Sequence, residues 1–152
     1  MVICICVILA LGIFLGDLWI KNRIENTGGE NFPAYFAGKK LILRKYHNTG
    51  AMLDLGASRR AVVAAISVIL TILVSIVFVL SLGHRGNNTL RVGLALLLGG
   101  SFSNTYDRLK RKYVVDYLSF NVKWKRFQGI VFNFSDFCII IGSFLTALVL
   151  SK

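Results

Sequence analysis

Ala61 to Leu82 is a run of 22 residues without a single charged side chain. A helix needs about 20 apolar residues to cross a hydrocarbon core about 30 Å thick, so this run by itself predicts a membrane span. Three more candidates follow the same logic. Val2 to Ile20 holds only Asp17, near its end, Val92 to Tyr106 gives 15 residues between Arg91 and Asp107, and Gly129 to Leu150 gives 22 interrupted by Asn133 and Asp136. The third is short and spans only if its polar end runs on into protein rather than lipid. Val2 to Ile20 has neither a basic stretch ahead of it nor a small-x-small site before Lys21, so it reads as a retained span, not a cleaved signal. Overall, 55% of the chain is hydrophobic and the mean hydropathy is +0.66, too apolar for a water-soluble globule.

Lys and Arg number 18 against 7 Asp and Glu, a balance that could serve nucleic acid or anionic lipid. The spans decide for lipid, and no nucleic-acid partner is expected. With one Pro, no Ser/Gly tract and no internal repeat, residues 1–152 read as a single integral membrane domain. Of the two long connections, the first carries Asn26-Thr27-Gly28-Gly29 as a turn and Lys40 to Tyr46 as a short strand closed by Asn48-Thr49-Gly50. In the second, Tyr113 to Trp124 alternates, and Asp116 is the only charge on the apolar face shared by Val114, Leu118, Phe120, Val122 and Trp124. The expected fold class is therefore membrane α-helical: four transmembrane helices with a small β platform formed by the two long loops. An even number of spans puts both loops on one side and both termini on the other.

Ionisable residues inside spans are costly and so are functional candidates; here they are Asp17, Asp107 and Asp136. Asp17 and Lys21 have the i, i+4 spacing of a helix ion pair, whose plain role is to neutralise charge at a span end. Asn104, Asp107 and Arg108 share one helix face and form either a polar cap at the water interface or one wall of a site. Asp136 lies seven residues beyond Gly129, about 10 Å along the helix axis, with no cation in its own span. It must meet a group from elsewhere or hold a proton. Asp116 is a candidate partner, since two carboxylates in a low-dielectric pocket share a proton and can activate water. Spacing alone leaves that pairing open. No H-E-x-x-H or G-x-S-x-G motif is present. Cys4, Cys6 and Cys138 lie in apolar runs and His47 and His84 in loops, so neither a disulfide scaffold nor a metal site is expected.

Five motifs in order, Asp17-x-x-x-Lys21, Asn48-Thr49-Gly50-Ala51, Gly99-Gly100-x-x-x-Asn104-x-x-Asp107-Arg108, Val114-Val115-Asp116-Tyr117 and Phe132-Asn133-x-x-Asp136, resemble those of the lipoprotein (type II) signal peptidases. The resemblance runs from Asp17 to Asp136. It implies an intramembrane aspartic protease, without a cofactor, that removes signal peptides from diacylglyceryl-modified prolipoproteins by cleaving before the lipidated cysteine. By the same resemblance Asp116 and Asp136 match the catalytic pair. Asn48, Asn104, Asp107, Arg108 and Asn133 match substrate-binding polar residues, and Asp17 and Lys21 a structural pair. The chain departs from the family pattern at Leu18 (usually Gln), Ser103 (Gly), Ser135 (Ala) and Met52-Leu53 (a small residue and Phe). With both aspartates in place, this implies an active but divergent member, and leaves open a specialised paralogue.

The resemblance also implies a multi-pass protein of the bacterial cytoplasmic membrane, with cytoplasmic termini and the site facing the outer leaflet. The charge rule opposes this, because the two long loops hold 15 basic residues against three on the other side. The reading follows the resemblance, since folded loops need not obey a rule calibrated on short ones, and basic loops can hold anionic headgroups. Expected partners are prolipoproteins and membrane lipids, with the chain a monomer. Two other readings fit part of the pattern: a catalytically silent binder of lipidated peptides, and a small proton-coupled protein using Asp17, Asp107 and Asp136 as a relay. The presence of both aspartates weighs against the first, and the place of Asp116 on a loop strand weighs against the second.

Overall fold

The structure is a computed structural model that describes residues 2–51, 56–83, 87–124 and 128–151. The departures at Met52 and Leu53, and His84, lie outside the described residues. Four long helices appear among those described: α1 (Val2–Asn26), α2 (Arg60–Gly83), α3 (Asn88–Lys110) and α4 (Phe134–Leu150). With them is one antiparallel sheet of β1 (Ala34–Phe36), β2 (Leu41–Asn48) and β3 (Val114–Phe120), in that order. β1 was not expected from the sequence: it is three residues long and follows Pro33, too short for a periodic signal.

α1 and the helical stretch Ala57–Gly83 that contains α2 are long and apolar enough to cross a bilayer, and α4 is a shorter apolar helix. Their outward faces are greasy. Ile8, Leu15, Val79 and Phe144 are each more than half exposed, the reverse of what water selects. In α2 only Thr71 and Phe78 are buried, so this helix meets the bundle along a narrow seam.

α3 is the central helix, packed against α1, α2 and α4. Two adjacent glycines let it in. A Cβ on Gly99 would lie 2.6 Å from the Ala10 carbonyl oxygen of α1, and one on Gly100 would lie 2.6 Å from the Ser135 carbonyl oxygen of α4. Small residues at helix crossings allow such backbone approach in a membrane, where dispersion contacts carry most of the association. Above the glycines Cys6, Ala10, Phe78, Leu94, Ala95 and Leu98 form the apolar core.

The fourth predicted span, Gly129 to Leu150, needs correction. Helix α4 starts only at Phe134, because Asn133 caps it: the Asn133 side chain accepts from the Asp136 backbone, and the Asp136 side chain accepts from the Asn133 backbone. This reciprocal box satisfies two orphan amides and ends the helix there. Before it, Phe132 pairs with Leu118 of β3 as an isolated antiparallel bridge. Asp136 therefore sits in the first turn of its helix, not the two turns deep that counting from Gly129 suggests.

Candidate active site

Each polar side chain of the central cluster is delivered by a different element. Asp116 comes from β3, on the face turned toward the helices, and is 2% exposed. Asp136 comes from the first turn of α4, Asn104 and Arg108 from α3, and Asn48 from the end of β2. All five line a single cavity of about 280 Å³. Its remaining walls are mostly apolar, with Ile130, Phe132 and Ile139 on one side and Leu70 on the other, while Ser67 and Thr71 of α2 add hydroxyls.

Asn133 ties the two carboxylates together. Its Nδ2 donates to Asp116 Oδ1 at 2.7 Å, its backbone N–H donates to Asp136 Oδ2 at 3.0 Å, and its Oδ1 accepts from the Asp136 N–H at 2.9 Å. It is fully buried. Asn48 Nδ2 donates to the other Asp116 oxygen at 3.0 Å, and Asn104 Nδ2 donates to Asp136 Oδ1 at 2.9 Å. Both carboxylates thus receive amide N–H groups, while neither has a cation bonded to it among the described residues. Burial, and next the nearby Asp136 charge, push the Asp116 carboxyl up to about 7, against the lowering pull of Asn48 and Asn133. A carboxyl in that range holds or gives up a proton near neutrality.

Arg108 closes the cavity's polar side. Its guanidinium donates to the Gly50 carbonyl at 2.9 Å and the Asn104 carbonyl at 3.3 Å, and its buried Nε–H has no partner among the described residues. Across the cavity the Thr71 and Thr105 hydroxyls are bonded at 2.8 Å, pinning α2 to α3.

Three other residues of the sequence motifs lie behind this cavity rather than in it. Asp17, Lys21 and Asp107 are all 0% exposed. Lys21 Nζ lies 2.9 Å from Asp17 Oδ2 and 3.1 Å from Asp107 Oδ2, and Arg111 lies 2.8 Å from Asp107 Oδ1. Asp107 also accepts from the Val115 N–H at 3.2 Å, fixing the start of β3. It is not among the cavity-lining residues, so the structure gives Asp107, expected to bind substrate, a fully committed carboxylate instead. Asp17 Oδ2 accepts from Ser103 and Ser135, and its Oδ1 accepts from the Tyr117 hydroxyl, which in turn accepts from the Phe134 N–H. Burial and then the Asp17 charge keep the Tyr117 phenol protonated by raising its pKa.

Reading residues by spacing assigned no role to Ser103, Ser135, Tyr117 or Arg111. Signals existed. Two of the departures from the family pattern are the very serines that bond Asp17, and Arg111 follows Asp107 at i, i+4.

Fold and cavity together define a helical protein with apolar outward faces and two buried carboxylates lining a shared pocket. The family model described as signal peptidase (SPase) II matches residues 9–152. The lipoprotein signal peptidase of Moorella thermoacetica is 32% identical over 135 residues, covering 89% of this chain and 85% of its own. That of Clostridium acetobutylicum is 30% identical over 145 residues, covering 93% and 89%. A solved bacterial membrane enzyme, determined by the in meso method at 2.3 Å, shares the fold with a TM-score of 0.80 at 23% identity, covering 97% of this chain and 87% of its own. The chain belongs to the signal peptidase II family, and so is a membrane protease of lipoprotein signal-peptide processing.

Proposed function

We propose that this chain is an intramembrane aspartyl endopeptidase that cleaves diacylglyceryl-modified prolipoproteins immediately before the lipidated cysteine. The observation that carries the reading is the Asn133 clamp, which holds Asp116 and Asp136 against the same cavity. In this reading the two carboxylates share one proton. The ionised one takes a proton from water as the water oxygen attacks the scissile carbonyl carbon, and the protonated one gives its proton to the carbonyl oxygen. Collapse of the tetrahedral intermediate breaks the C–N bond and returns a proton to the leaving amine of the cysteine. Arg108 Nε–H donates to a substrate backbone carbonyl. Asn48, Asn104 and Asn133 orient the carboxylates, while Asp17, Lys21 and Asp107 hold α1, α3 and β3 together behind them.

All four helices cross the membrane in this proposal, with the sheet on the outer side and both termini in the cytoplasm. The chain works as a monomer. Because Asp136 is in the first turn of α4, the scissile bond is cut near the outer interface, where two acyl chains hold the modified cysteine by about 0.8 kcal/mol per buried methylene. The test is mass spectrometry of a lipidated precursor incubated with purified Asp116→Asn or Asp136→Asn. Each variant is expected to fold and to leave the precursor intact. Full processing by either one would rule out the dyad, and an inactive wild-type protein that still binds the lipidated precursor would mark a silent binder.

A further inference from the structure

Lys21 is a fully buried ammonium that the peptide-cleaving chemistry above never uses, yet it is one side chain removed from the dyad. Its Nζ donates to Asn104 Oδ1 at 2.8 Å, and Asn104 Nδ2 donates to Asp136 Oδ1 at 2.9 Å. An ammonium has three donors and no acceptor. Only the oxygen end of the Asn104 amide can face it, which leaves the NH₂ end for Asp136. That end donates, so it bonds best to an ionised carboxylate.

We propose that Lys21 is a positioning residue that acts through Asn104, fixing the amide so that Asp136 is the ionised member of the dyad and Asp116 the one that holds the proton. This rests on the dyad reading above. The surrounding charges favour the same division. Asp136 sits at the N-terminal turn of α4, where the helix dipole favours an anion, and accepts a backbone N–H besides the Asn104 amide. Asp116, on a strand, accepts only from the side-chain amides of Asn48 and Asn133 among the described residues.

Lys21 is enclosed by carboxylates that are themselves satisfied. Asp17 and Asp107 flank it, Arg111 balances Asp107, and Ser103 and Tyr117 saturate Asp17. The charged or titratable groups around Asp136 among the described residues are Asp116 and Tyr117 from β3, Lys21 and Asp17 from α1, and Arg108 from α3. From α2, Ser67 and Thr71 bring only hydroxyls to the cavity. Without Lys21 the Asn104 amide is free to turn over and present its oxygen to Asp136, which then bonds it only by taking up the proton.

The experiment compares Lys21→Met with Lys21→Met/Asp17→Asn, the second removing the ion pair whole and leaving Asp107 and Arg111 to neutralise one another. Cleavage of a lipidated precursor by each purified full-length variant is followed as kcat and KM against pH. The acid limb of the kcat profile is expected to move about one pH unit higher, a roughly tenfold loss of kcat on that limb, with KM unchanged. Asn104→Ala is expected to move the limb in the wild-type background and to add nothing in the Lys21 variants. A folded variant with the wild-type profile, or additive effects of Lys21 and Asn104, would overturn the proposal, as would failure of both Lys21 variants to fold, which would make the residue structural only. If Asp116→Asn or Asp136→Asn still cleaves, it is the dyad that fails; if both are inactive while the double variant keeps its profile, only the role of Lys21 fails.

Discussion

Gly100→Ala tests whether the closeness of α3 and α4 is what aligns the site. The new methyl group would lie 2.6 Å from the Ser135 carbonyl oxygen and 2.9 Å from Ile139 Cγ1, whereas ordinary contact begins at 3.4 Å. The nearer atom is backbone, so no side chain can rotate out of the way. Relief requires the first turn of α4 to move off α3 by about 0.8 Å, and overpacking of this kind typically costs about 1–3 kcal/mol. Asn104 is one helical turn from Gly100 and bonds Asp136, the residue after Ser135, at 2.9 Å. The same shift would stretch that bond beyond useful length, and a misplacement near 1 Å can cost about a hundredfold in rate. We expect a folded protein with a modestly lower melting temperature and kcat reduced about ten- to a hundredfold. Gly12→Ala and Gly16→Ala on α1, where an added Cβ meets nothing within 4 Å, are expected to cleave at the wild-type rate. Paired thermal melts and lipidated-precursor cleavage of the three variants decide it. Wild-type turnover in Gly100→Ala would show that the glycine contact does not set the catalytic geometry.

Arg108→Ala removes a buried N–H that has no partner among the described residues and is expected to lower kcat/KM about ten- to a hundredfold, in line with a charged hydrogen bond, with a smaller effect on melting; unchanged kcat/KM would take Arg108 out of substrate binding. Because the Asp116 carboxyl lies at about 7 in the fold against 3.8 ordinarily, the folded state binds the extra proton between those values, and stability should fall as pH rises from about 4 to about 7. Asp116→Asn should flatten that part of the curve, and identical melting profiles for the two proteins would argue against a proton held there. Cleavage should require the diacylglyceryl group, and equal rates for lipidated and unlipidated forms of one precursor in the same detergent would point to a general signal-peptide-clearing protease.

Consecutive residues were enough to place most of the helices, because apolar length is a property of the chain itself. Ala61 to Leu82 is α2 to within a residue at each end, and Val92 to Tyr106 is the apolar middle of α3. Local spacing also showed that Asn104 and Arg108 share a helix face and that Asp116 is the lone charge on a strand face. The depth of Asp136 was not legible by counting apolar residues, because the Asn133 cap, a side-chain to backbone exchange, halts the helix inside an apolar run. Nor could spacing separate Asp107, turned onto Lys21 and Arg111, from Asn104, turned into the cavity: which way each faces depends on α1 and β3 packing against α3. The family resemblance paired Asp116 with Asp136, but spacing left that pairing open, because its physical cause is tertiary. Their meeting depends on Phe132 pairing with Leu118, which folds the start of α4 back beside β3 and puts Asn133 between two carboxylates 20 positions apart in the sequence.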